Sequence, residues 1–355
     1  MSSPAQDTEL VERSAVIEVR LHRASPFPPL VNGALVALSL YAVYLLIASQ
    51  VGQPILETRA DGSLAVNSGS WAAFVLSLIF STAVTIPALS ARQWSASLPD
   101  LLQTLDEAGI RQAQAMSQGT PRGRLFPILT AFGLGVLGGL AFNAWLLRTS
   151  GLSLPVYFQS TGIWYVVVTP ILFGLGARSI VQLRSDDRDM AMLVSGHLDI
   201  TPAGFDRLEV YGQLALRSAL AWIVMAAIIL LFFVYAAPVF ISVGTLVLSL
   251  LAGAYAFSST IAPVVRATSA LRAEALQNVR TAIEAEASST LDATPNVAVP
   301  SGRLADLVAY ETWLASRPVW PISAPITRRL ALYGLIPVLA WFGAAAAELV
   351  LGRIA

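Results

Sequence analysis

The chain has 355 residues, of which 55% are hydrophobic and only 12% charged, and its formal net charge is zero. Soluble domains carry about 25% charged residues. Here ionisable groups are missing from stretches of about 20 residues, the length that crosses about 30 Å of hydrocarbon, which excludes an ordinary soluble domain. Zero net charge removes the field that would draw nucleic acid, and the lack of cysteine removes disulfides, thiolate nucleophiles and zinc–cysteine or iron–sulfur sites.

Residues 1–28 are polar and mixed in charge, unlike a signal peptide, so insertion is expected to be directed by the first apolar stretch. Seven such stretches follow, at 30–49, 71–89, 126–147, 162–181, 218–236, 239–262 and 330–351. The expected fold class is an all-α integral membrane protein with seven transmembrane helices. Ala237-Pro238 is expected to turn the fifth span into the sixth.

The 22 basic residues are all arginine, and they alternate by side. Arg13, Arg20 and Arg23 precede the first span. Arg92, Arg111, Arg122 and Arg124 lie between the second and third, and Arg178, Arg184, Arg188, Arg207 and Arg217 between the fourth and fifth. Arg266, Arg272, Arg280, Arg303, Arg317, Arg328 and Arg329 lie between the sixth and seventh, which brings this side to 19. Only Arg59, Arg148 and Arg353 fall on the other. Cationic loops are retained in the cytoplasm, so the N-terminus is expected inside and the C-terminus outside. Arginine without lysine, with abundant Ala, Leu, Val and Gly, points to a GC-rich bacterial genome and so to a bacterial inner membrane.

The long connections at 90–125, 182–217 and 263–328 then form the cytoplasmic mass, with a short outer tail after the span that begins near 329. In the first, Ser97-Leu98-Pro99-Asp100 has the pattern of a capped helix start, with Leu98, Leu101, Leu102 and Leu105 as an apolar stripe that ends near Gly109. In the second, Asp186-Asp187-Arg188-Asp189 lacks the spacing and loop glycine of a cation site and reads as a solvated, self-paired turn. Thr201-Pro202 opens a helix that carries Phe205, Leu208, Tyr211 and Leu214 towards the fifth span.

After the sixth span the helix is expected to continue, with Leu276, Val279 and Ile283 on one face and Leu271 and Ala275 beside it. That seam is too short for a coiled coil. Its natural partner is the helix over 303–316, whose Leu304, Leu307, Val308, Tyr310 and Leu314 form a second stripe. Residues 288–301, with Pro295 and Pro300, read as the linker. Trp320 and Arg328-Arg329 read as interfacial anchors for the seventh span.

Within the spans the one acidic residue is Glu348, near an outer end, Arg178 lies at the inner end of the fourth span, and both histidines, His22 and His197, fall outside them. Intramembrane relays, haem ligation and membrane catalysis are therefore not expected, and neither is a cofactor or metal. Proline and glycine are more informative. Pro170 with Gly174 and Gly176 in the fourth span, and Pro337 with Gly343 in the seventh, mark candidate hinges or a pathway lining. Gly135 and Gly139 form a small-xxx-small pair for helix packing.

Ala262-Pro263-Val264-Val265, Arg317-Pro318-Val319-Trp320-Pro321 and Leu335-Ile336-Pro337 resemble a family of uncharacterised bacterial multi-pass membrane proteins, over about residues 240–350. The resemblance implies no activity. The seven-span plan with cytoplasmic helices is also similar in topology to insect chemoreceptor channels. Two readings follow: a channel or transport component with a cytoplasmic helical gate or anchor, and a non-catalytic signalling or scaffold protein that binds a cytoplasmic partner. Both place the chain in a bilayer, with a homo-oligomer as a further expectation.

Overall fold

A computed structural model describes residues 22, 24–58, 64–117, 122–233, 239–293, 302–317, 320 and 323–354. Helix α1, Pro29–Gln50, starts with proline in its first turn, where the missing N–H costs no helical bond. It ends at Gly52, whose φ of 67° is a left-handed conformation open to glycine, and Gln53 N donates back to the Ala48 carbonyl at 2.9 Å. A short antiparallel hairpin follows, β1 Leu56–Thr58 and β2 Leu64–Val66.

Helix α2, Ser68–Leu102, is capped by the Asn67 side chain, which accepts from Gly69 N and Ser70 N. It is followed by α3, Glu107–Ser117, and α4, Arg122–Ser150. The one-turn helix α5, Leu154–Phe158, then leads into α6, Gly162–His197. A 3-10 turn, Pro202–Leu208, runs into α7, Glu209–Leu230. Helix α8, Val239–Ala293, has 55 residues, about 82 Å at 1.5 Å per residue. The last helices are α9, Gly302–Ser316, α10, Ala324–Gly334, and α11, Ile336–Ile354.

Among the described residues six helices are long and apolar enough to cross a membrane by length and composition: α1, α2, α4, α6, α8 and the run that contains α7. Large apolar side chains lie bare along them, including Leu30, Leu38 and Leu46 on α1 and Phe126, Leu134 and Leu137 on α4. Water would not tolerate such a surface, whereas hydrocarbon does. The architecture is that of a multi-pass, all-α membrane protein.

Helix α4 packs on α6, α6 on α2 and α8, α2 on α1 and α7, and α7 on α8, α10 and α11. One buried cluster joins Leu101, Leu105, Met190, Leu193, Phe205, Leu208, Tyr211 and Val264. It sits where the arginine-rich ends of α2, α6, α7 and α8 meet, so the apolar stripes of the first two long connections share one core. A second cluster joins α7, α8 and α10 through Ala215, Ala219, Phe257, Ile261 and Ile326. The third, around Tyr44, Ala73, Trp164 and Val168, joins α1, α2 and α6.

Several local expectations change. No helix starts at Ser97: α2 continues through Pro87 and Pro99 to Leu102, because Ser97 is buried and accepts from the Arg217 guanidinium at 2.7 Å. The next cap is Asp106 instead, whose Oδ1 accepts from Gly109 N at 2.6 Å. Asp186–Asp189 is not a solvated turn but part of α6, with Asp189 buried. The expected linker loses its first residues to α8, which continues to Ala293; residues 294–301 lie outside the described residues, as does the Ala237-Pro238 turn. The seventh apolar stretch is divided between α10 and α11 at Leu335. Pro337 accounts for the division, since it has no N–H for the carbonyl of Tyr333.

Candidate functional site

Four of the seven residues singled out by their glycine and proline chemistry come together where α4 crosses α6. A side chain on Gly135 would overlap the Phe173 carbonyl, and a Cβ on Gly139 would lie 2.5 Å from Pro170 Cα. From the other side, a Cβ on Gly174 would meet Phe132 and Val136 at 2.8–2.9 Å. Two backbones therefore touch along a seam that only residues without side chains permit. Pro170 does not break α6, which is continuous from Gly162 to His197. Gly176 and Gly343 border open space within 4 Å, and Pro337 lies in the first turn of α11. Pro170 and Gly174 thus belong with Gly135 and Gly139, while Gly176, Pro337 and Gly343 stand apart from them.

Beyond the seam, towards the α4–α6 connection, polar side chains replace glycine. Buried Asn143 of α4 donates to the carbonyls of Gly139 at 3.1 Å and Tyr165 at 3.3 Å, and its Oδ1 accepts from the Tyr157 hydroxyl at 3.3 Å. Burial also pushes the Tyr157 phenol, on α5, above its ordinary pKa. Tyr165 OH donates to the Gly69 carbonyl at 2.6 Å, and Thr161 donates to Gln53 Oε1 at 2.7 Å. Gln53 and Glu57 both meet the Asn67 side chain. Trp164 Nε1 donates to the Leu40 carbonyl at 3.1 Å. Tyr41, Tyr44, Trp164 and Tyr165 pack edge-on or stacked around these bonds. Helices α1, α2 and α6 are locked to one another at the arginine-poor end.

The opposite, arginine-rich end carries a second set of cross-links. Thr104 Oγ1 and Tyr211 OH lie 2.8 Å apart in the core, and Arg217 also donates to the Gln93 carbonyl at 3.4 Å. Leu105 and Leu198 form an isolated antiparallel bridge, with Asp106 N donating to the His197 carbonyl at 3.0 Å and Asp199 N to that of Thr104 at 3.0 Å. His197 Nδ1 lies 3.2 Å from Asp106 Oδ1. The Gly109 N–H above all, then the His197 side chain and the Ala108 N–H, hold the Asp106 carboxyl below its usual value.

These arrangements fasten helices to one another. Among the described residues no group of three or more His, Asp or Glu side chains is placed to hold a metal ion. Asn143, Arg217 and Asp106 escaped the sequence reading. Asn143 could have been found as an amide in an apolar span, where it must satisfy its own hydrogen bonds. The Ser97 partner of Arg217 and the His197 partner of Asp106 lie 120 and 91 positions away and no local pattern marks them, whereas the capping bond of Asp106 to Gly109 N follows from an aspartate just ahead of a helix.

No protein-family model, no curated protein and no solved structure matches the chain. The likeness of residues 240–350 to a bacterial membrane family therefore gains no support from these comparisons, and no site residue is carried over from it. What stands is the class: a multi-pass, all-α membrane protein.

Proposed function

We propose that this chain is a non-catalytic signalling or scaffold protein of a bacterial inner membrane, which presents its arginine-rich helical end to a cytoplasmic protein partner. The observation that carries this reading over a channel is the α4–α6 seam, where Pro170 and Gly174, two of the five residues suited to a pathway, are closed off by backbone contact with Gly139 and Gly135. The ordered mass beyond the spans lies instead at the arginine-rich end. There α8 continues well past a bilayer's thickness and pairs with α9, held by Arg280–Glu311 at 2.6 Å and Arg303–Glu286 at 3.8 Å.

Seven crossings, with the N-terminus inside and the C-terminus outside, belong to the same proposal. Its support is positional. Helix α10 packs against Ala215 and Ala219 at the arginine-rich end of α7, while α11 touches β2 and the Leu231–Phe233 turn at the other. A homo-oligomer fits the open space beside Gly343 of α11. No role with nucleic acid and no cofactor enters this reading.

Two measurements on the full-length protein test it. In reconstituted liposomes no flux of sodium, potassium, chloride or protons is expected. In membranes, a cytoplasmic protein is expected to co-purify with the intact chain and to be lost when Leu314→Ala loosens α9. Ion flux that stops when Gly139→Leu forces the seam apart would establish the channel reading instead.

A further inference from the structure

A groove of about 450 Å3 runs along α1, closed on one side by Phe80 of α2. Along α1 it follows Asn32, Val36, Leu40 and Val43, one face of the helix at three- and four-residue steps. That face flanks the one packed against α2, where Ser81 Oγ donates to the Gly33 carbonyl at 2.5 Å. The groove is apolar except at one end. There His22 is buried, Ser25 donates to Asn32 Oδ1 at 2.6 Å, and Asn32 Nδ2 donates to the Phe27 carbonyl at 3.2 Å. Eleven residues separate Asn32 from Val43, about 16 Å at 1.5 Å per residue. One leaflet of hydrocarbon is about 15 Å deep, half of the whole.

We propose that this groove holds one acyl chain of a phospholipid from the leaflet on the arginine-rich side, with the headgroup beside the His22–Ser25–Asn32 turn. Three features select this occupant. The groove lies within a membrane-spanning helix, so what it meets is hydrocarbon, and an apolar cavity does not hold water favourably. Its length matches one leaflet and not two. Its polar atoms are gathered at the end where a lipid changes from tail to headgroup, while the wall from Leu35 to Val43 offers only the Ser39 hydroxyl. The site has a second wall in Phe80 of α2, whereas Leu38, on the neighbouring face of α1, is exposed.

Native mass spectrometry of the full-length protein, extracted from its membrane in mild detergent, tests the assignment. One two-chain phospholipid is expected to stay bound. Ser39→Trp, which fills the groove from α1, is expected to lower its retention by about tenfold, the effect of forcing a bulky group into an occupied space. Leu38→Trp, one residue away on the outward face, is expected to leave it unchanged. In the unmutated protein, a phospholipid with a photoreactive acyl chain is expected to label the groove face of α1 and Phe80. Equal retention in the two variants, labelling spread evenly around α1, or a bound single-chain fatty acid in place of a phospholipid would each overturn the proposal.

Discussion

Gly139 and Gly133 are six residues apart on one apolar helix, yet the structure gives them opposite sensitivities. A Cβ at Gly139 would run into the Pro170 backbone, and at Gly133 it would meet nothing within 4 Å. Gly139→Leu is therefore expected to destabilise the bundle by about 1–3 kcal/mol, the usual cost of overpacking. Gly133→Ala is expected to be silent or slightly stabilising, because alanine is the better helix former. Thermal unfolding of the two purified variants in one detergent measures the difference. Asp106 supplies a pH dependence. Its carboxyl is held below the usual value in the folded protein, so its stabilisation is complete above the unfolded value, about 3.9, and is lost as pH falls through the folded one. Amide protection factors over 107–117 are expected to fall on acidification through that range. In Asp106→Ala, which removes the cap, protection should already be lower at neutral pH, and the acid step should be absent. Gly139 carries a local sign of its role, and Asp106 carries one only for its cap, as an aspartate just ahead of a helix. Spacing identifies a small-xxx-small pair, whereas the bonds of Asp106 to His197 arise from a chain reversal that no local pattern encodes.

At the scale of elements, most spans were legible because hydropathy averages over about 20 residues and survives local irregularity. What the averaging missed were the ends. Proline at 99 and the serine before it resemble a helix start, yet α2 passes through both, since packing on α3 and α7 outweighs the loss of one backbone bond. Helices α8 and α9 pair, and the energetics of the pairing follow from burial. Leu314 is fully buried, whereas Arg280, which pairs with Glu311, is 65% exposed. Exposed pairs contribute about 0.2–1 kcal/mol, and removal of a buried leucine side chain costs about 2–5 kcal/mol. Leu314→Ala is thus expected to free α9 for limited proteolysis near 302–316, and Arg280→Ala to leave the cleavage pattern nearly unchanged.

The whole molecule has two unlike ends. Aromatic rings and neutral amides lock α1, α2 and α6 at one, and a leucine-rich core with arginine around it extends the helices at the other. Because the chain has no cysteine, single-cysteine variants report sidedness without background. A thiol at Leu56 or Ser150 is expected to react with a membrane-impermeant maleimide in intact spheroplasts. One at Ser195 or Ala282 is expected to react only after lysis. The opposite pattern would invert the proposed orientation while leaving the packing intact.

By itself the sequence determined that this chain crosses a bilayer several times and that its arginines gather between alternate crossings. Both are sums of side-chain transfer energies and charges over neighbouring residues, and such sums do not depend on which helix touches which. Tertiary structure alone decided that Gly135, Gly139, Pro170 and Gly174 close on one another, and that Ser97 receives Arg217. It alone placed Leu101 and Tyr211 in one core and left a one-leaflet groove beside α1. These outcomes depend on contacts between residues tens to more than a hundred positions apart, and on whether two surfaces leave space between them, which composition and periodicity do not record.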